Sequence, residues 1–143
     1  MNRLRGLLQI VLIAWAGGLW TICAFVAPML FSLLPERATA GSVAGELFTI
    51  VGRASVVFAV ATALLWSRST RHRKHRFDYS LMAISGVCPV VSELALRAPM
   101  DLARSNGDMR TFGLLHALSA LLFGIACIGT LILAVRFTRP DTI

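Results

Sequence analysis

Residues 7–34 carry no charged side chain, and an apolar run of that length constrains the fold more than any other feature of the chain. About 20 apolar residues, rising about 1.5 Å each, cross roughly 30 Å of hydrocarbon. Inside lipid the backbone N–H and C=O groups must be satisfied within the segment itself, so such a run spans as a helix. Three more runs follow at 43–67, 79–98 and 111–135. The expectation is an all-α, polytopic membrane protein, one domain over 1–143, built as a four-helix up-down transmembrane bundle. The first run is too long for a signal-peptide core and lacks a small-x-small cleavage context, so it reads as a retained helix.

Composition excludes the alternatives. A chain that is 57% hydrophobic and 15% charged, with mean hydropathy +0.74, is far too apolar for an ordinary soluble domain. Basic residues set the orientation. Arg3 and Arg5 precede the first run, Arg68, Arg71, Arg73, Lys74 and Arg76 separate the second from the third, and Arg136 and Arg139 follow the fourth. The other two connections are near neutral, with Glu36 and Arg37 in one and Asp101, Arg104, Asp108 and Arg110 in the other. The positive-inside rule then predicts both termini on the cytoplasmic side. The basic 68–76 loop also suits anionic lipid headgroups. It has no interleaved aromatic residues for nucleic acid, and His72 and His75 are too few ligands for a metal.

Five ionisable residues fall inside the apolar runs: Glu46, Arg53, Glu93, Arg97 and His116. A charge at the centre of a membrane helix costs roughly 2.5–3.5 kcal/mol on insertion scales, so such residues face one another, a cavity or a partner. Glu93 and Arg97 are i, i+4 neighbours, and Glu46, Thr49 and Arg53 share a helical face. The predicted topology gathers all five in the outer half. Convergence would cancel the four permanent charges, with Arg53 near the midplane and Glu93 its expected partner. The cluster is then either a structural lock between helices or an outward-facing site for an ion or small polar ligand.

Small residues at i, i+4 spacing, Ala14 with Gly18, Gly41 with Gly45 (extended by Gly52) and Ala120 with Gly124, predict close helix approach. Pro28 and Pro89 are expected to interrupt helices one and three. Ala27-Pro28-Met29 and Ala98-Pro99-Met100 echo one another, but three residues do not establish a repeat. Cys23, Cys88 and Cys127 have neither disulfide nor zinc spacing and read as small apolar packers. There is no P-loop, nucleophile elbow, metalloprotease or dinucleotide motif, so neither an enzyme nor a cofactor is expected. His116 is the single histidine in a span, which disfavours bis-histidine haem and leaves a His and Met pair open.

The run Trp15-Ala16-Gly17-Gly18, then Ala27-Pro28, Leu30-Phe31, Leu34-Pro35, Ala40-Gly41 and Gly45-Glu46-Leu47-Phe48, resembles the transmembrane protein 205-like family, also catalogued as domain of unknown function 4149. Phe112, Leu115-His116 and Ser119 resemble its closing helix. The resemblance implies a small four-helix protein of a bacterial plasma (inner) membrane without an established activity, and it singles out Pro28, Phe31, Gly41, Gly45, Phe48 and His116 as pattern residues. The link of eukaryotic relatives to platinum-drug resistance tilts the implication toward transport or trafficking rather than catalysis. Three functions follow as expectations: an accessory or binding protein associating with other membrane proteins or with itself, a small transporter or efflux component, and a haem- or quinone-linked redox protein.

Overall fold

The computed structural model describes residues 2–69 and 76–138 as helix throughout, apart from two short turns. Helix α1 (Asn2–Trp20) passes through a π-helical segment, Thr21–Val26, into α2 (Ala27–Leu33). Next come α3 (Arg37–Ser69) and α4 (Arg76–Val91), the second π segment Ser92–Leu96, α5 (Arg97–Ser105) and α6 (Met109–Thr138). These form four rods, Arg3–Leu33, Arg37–Arg68, Arg76–Ser105 and Met109–Thr138, each long and apolar enough to cross a membrane. The chain is therefore an all-helical, four-rod bundle. Both ends of the described chain lie at one end of it, the terminal end, and the two short turns at the other, the turn end.

The turns follow from local chemistry. Leu34 is extended at φ −88°, ψ 130°, as a residue before proline must be, and Pro35 ends the first rod. The third rod ends in a Schellman arrangement: Gly107 at φ +73°, its N–H on the Arg104 carbonyl and the Asp108 N–H on the Ala103 carbonyl at 2.9 Å. Asp108 then caps α6 by accepting the Thr111 N–H at 3.1 Å. Both rods at this turn are longer than the apolar runs suggested. The third continues to Ser105 because α5 is amphipathic rather than apolar, which hydropathy alone reads as a loop.

Proline placement corrects one expectation. Pro89 lies inside α4 without ending it. The irregular turns precede Pro28 and Pro99 instead. A proline has no N–H for the carbonyl four residues back and its ring crowds that carbonyl, and a π turn relieves both. At the first site the Ala27 N–H reaches five residues back, to Ile22. The three-residue echo thus sits on matched backbone: a displacement of 71 residues carries Thr21 to Ser92, Pro28 to Pro99, and α3 onto α6 to within two residues at each end.

The rods form a ring in which first meets second, second meets third, third meets fourth and fourth meets first. Leu8, Leu12, Trp15 and Leu19 bring the first rod into the core against Trp66, Phe123, Leu133 and Phe137. Trp15 stacks on Phe58 at 6.4 Å, and Trp66 meets Phe137 edge-on at 4.2 Å. Apolar side chains such as Ile10, Ile13, Leu94, Leu114 and Leu121 point outward, as lipid solvent permits. Only one of the three small-residue pairs faces a neighbour: a Cβ on Gly18 or Gly124 would meet nothing within 4 Å. Gly52 is where backbones approach, with the Pro89 carbonyl oxygen 3.4 Å from its would-be Cβ. Gly86 is tighter still, 2.6 Å from the Ala59 methyl.

A candidate charged cluster at the turn end

The second rod delivers Glu46 and Thr49 to the seam with the third, one helical turn apart, while the second π segment and α5 deliver Glu93 and Arg97 from across it. One Arg97 terminal nitrogen pairs with Glu46 Oε1. The other donates to Thr49 Oγ1 and to Glu93 Oε1 at 3.1 Å. The Thr49 hydroxyl reaches Glu93 Oε2 at 2.7 Å, so the Glu93 carboxylate is held on both oxygens. Glu93 is mostly buried and Glu46 is 65% exposed. The arrangement is graded from a shielded acid to a solvent-facing one.

A glycine makes room for a second arginine beside the cluster. Arg104 Nη2 lies 3.0 Å from a Cβ placed on Gly41, whereas Arg97 stands 4.0 Å from one placed on Gly45, where a methyl would fit. Of the small residues expected to bring helix against helix, Gly41 instead seats an arginine over the second rod. Arg104 also covers the Phe112 ring at 4.7 Å, and Phe112 stacks on His116 at 5.8 Å.

Of the five residues singled out by the sequence, the structure brings together Glu46, Glu93 and Arg97. His116 is exposed and stacks on Phe112, apart from the carboxylates. Arg53 is also exposed and makes no ion pair or hydrogen bond with the described residues. Its expected partner Glu93 is taken by Arg97, whose i, i+4 position on the same rod gives a shorter reach. With two acids and one arginine, the cluster keeps a formal charge of −1 rather than cancelling. Two surface grooves lie elsewhere, one bordered by Leu131, Ile132 and Val135 and the other by Val56, Val60, Met82 and Val87. Neither is lined by any of the five.

A third ion pair, away from the cluster, was missed by sequence reading. Asp78, fully buried, accepts from Arg136 Nε at 2.9 Å at the terminal end, and Arg136 covers Phe77 at 5.4 Å. Asp78 lies one residue outside the apolar run, where an acid beside a basic loop reads as surface. Cys23 and Cys127, taken as lone packers, lie side by side between the first and fourth rods, where Trp20 Nε1 also donates to the Cys127 carbonyl at 3.1 Å. No group of three or more potential metal ligands occurs among the described residues. Arg68 and Arg76 are exposed, and the rest of the basic loop, Arg71, Arg73 and Lys74 with His72 and His75, lies outside the described residues.

The profile of a family described as Domain of unknown function (DUF4149) matches residues 10–109. The match takes in both turns, the whole charged cluster and Arg53, and stops where α6 begins. The likeness read from Phe112, His116 and Ser119 therefore rests on those residues alone, as does the transmembrane protein 205-like side of the resemblance. No curated protein and no solved structure matches the chain.

Proposed function

The chain belongs to the DUF4149 family, and from that premise we propose that it is a non-catalytic accessory protein of a bacterial plasma membrane. Both termini lie in the cytoplasm on this reading, and the second rod docks on another membrane protein. The observation that carries the reading is Arg53. It sits at the midpoint of the 33-residue α3, about 24 Å of helix from either end, on an exposed stripe shared with Ile50, Val57 and Val60. An arginine snorkels only as far as its own side chain reaches, so at mid-membrane it needs an anion brought to it. A helix with an Asp or Glu at the same depth supplies that charge, and the flanking branched side chains supply the packing surface. The Glu46–Arg97–Glu93 cluster then serves as the lock that holds second and third rods in register beneath the docking face. The basic 68–76 loop holds the cytoplasmic surface through anionic lipid.

The test is affinity purification from native membranes in mild detergent, comparing wild type with Arg53→Leu. Wild type should retain a membrane protein with an acidic residue inside one of its spans. Arg53→Leu should insert equally well and lose that protein. Retention of the same protein by both, or recovery of the chain alone from both, sinks the proposal.

A further inference from the structure

The surface beside Arg53 narrows what a partner must bring to it. Second and third rods run antiparallel, and the approaches of Gly52 to Pro89 and of Gly86 to Ala59 fix their register, which sets Ala83 level with Val60. Glycine and alanine at the contact leave a groove of about 400 Å³ on the lipid-facing side of the seam. Its floor is Ala59, Met82 and Gly86, buried or half-buried, and its rims include Val60 and Ala83, both exposed. Val60 also belongs to the stripe that carries Arg53. It lies seven residues away, two turns along the same face, or about 10 Å toward the terminal end. Charge and groove are one continuous surface.

The occupant must satisfy both parts. A cavity of about 150 Å³ takes a benzene ring, so the groove has room for two bulky side chains from successive turns of one helix. A lipid chain would fill it too, but a lipid carries its charge in the headgroup, and Arg53 is about 24 Å of helix from either end of α3. A second copy fails on charge as well. Copies inserted the same way about a two-fold axis along the membrane normal meet at equal depth, Arg53 against Arg53. The acids within the spans, Glu46 and Glu93, are already bonded to Arg97. Helices associate in lipid through close packing and polar contacts, and a foreign helix with a mid-span acid offers both at once.

We infer that one transmembrane helix of a partner occupies stripe and groove together. Its Asp or Glu meets Arg53, and a bulky apolar residue two turns from that acid, toward the terminal end, fills the space over Gly86. The inference rests on the docking reading above and adds the partner's sequence pattern: an acid and a Leu, Ile or Phe seven residues apart on one helical face.

The experiment recovers the full-length chain from native membranes as wild type, Arg53→Leu, Ala83→Phe and Leu121→Phe. Ala83→Phe fills the groove from its rim and leaves Arg53 in place, while Leu121→Phe puts the same ring at an exposed position of the fourth rod. Recovery of the acid-bearing partner should fall at least tenfold in Ala83→Phe and stay at the wild-type level in Leu121→Phe. A small diazirine amino acid, placed in turn at Ile50 and at Ala83, maps the contact by mass spectrometry. Both positions should label one span of that partner, about ten residues apart, with its acid between them. Full recovery in Ala83→Phe, an equal loss in Leu121→Phe, or labelling of lipid alone from Ala83 overturns the inference, and if Arg53→Leu still loses the partner, docking at Arg53 stands without the groove. Full recovery in Arg53→Leu, or no partner with wild type, overturns both.

Discussion

Thr49 sets the geometry of the cluster more than either acid does. It is 5% exposed and stands between the Arg97 guanidinium and the Glu93 carboxylate, so its hydroxyl accepts from one while donating to the other. Replacement by valine keeps the shape and removes both bonds. Hydrogen bonds between membrane helices are worth about 0.6 kcal/mol on average and up to about 1.7 kcal/mol. Thr49→Val should therefore destabilise the bundle by roughly 1 kcal/mol, measured by steric trapping or by unfolding in mixed micelles. Glu93→Gln combined with Thr49→Val should cost less than the sum of the two alone, because both remove the same contact. Sequence reading found Glu46, Glu93 and Arg97 because ionisable residues in apolar runs are conspicuous. It mispaired Arg53 because helical spacing assigns residues to a face of their own helix and says nothing of which neighbour that face meets.

The number and order of the four rods were legible because each carries an apolar run long enough to cross the hydrocarbon. Their ends were not, because α5 and the first two turns of α3 extend beyond the apolar runs on capping and arginine contacts that hydropathy does not register. Asp108 is one such device. Its bonds to Thr111, side-chain first and then backbone, with a smaller backbone contribution from Arg110, hold its carboxyl below the usual carboxylate range. A depressed carboxylate stabilises the folded form above its ordinary pKa, and that contribution disappears as pH falls through the lowered value. Acidification should thus lower the protection of the Thr111 and Phe112 amides, their exchange measured relative to the intrinsic rate at each pH, while Asp108→Asn, which caps without titrating, should hold that protection constant over the same range. Packing was legible in part. Gly52 was read as a point of close approach and is one, whereas Gly86, the tightest against a side chain that cannot rotate away, has no partner at helical spacing to betray it. Gly86→Ala drives a methyl into Ala59 and should cost about 1–3 kcal/mol, as overpacking does. Ala59→Gly in the same chain should recover most of the loss, and a double mutant no more stable than Gly86→Ala would show that the clash lies elsewhere.

The displacement of 71 residues makes the whole molecule two successive helical hairpins of matched element order, each with a π turn before Ala-Pro-Met in its first rod. The halves share architecture but not chemistry. Where the second half has Glu93 and Arg97, the first has Ile22 and Val26, so the first half has no counterpart of the charged cluster. Three residues of echo could not reveal the repeat in the sequence because lipid solvent asks only that exposed positions be apolar, which leaves most of them free to diverge. The contacts between halves are extensive: Trp20 to the Cys127 carbonyl and Gln9 to the Phe137 carbonyl at 3.4 Å on one side, and the Glu46–Arg97 pair with the Gly52–Pro89 approach on the other. None of them depends on the connection between residues 69 and 76. Two chains ending and beginning there, inserted separately, should therefore find one another and copurify. Glu46→Leu together with Gly52→Val removes the ion pair and wedges the approach, and should separate them. Halves that insert but never associate would mean that the covalent link, and not packing in the bilayer, holds the bundle together.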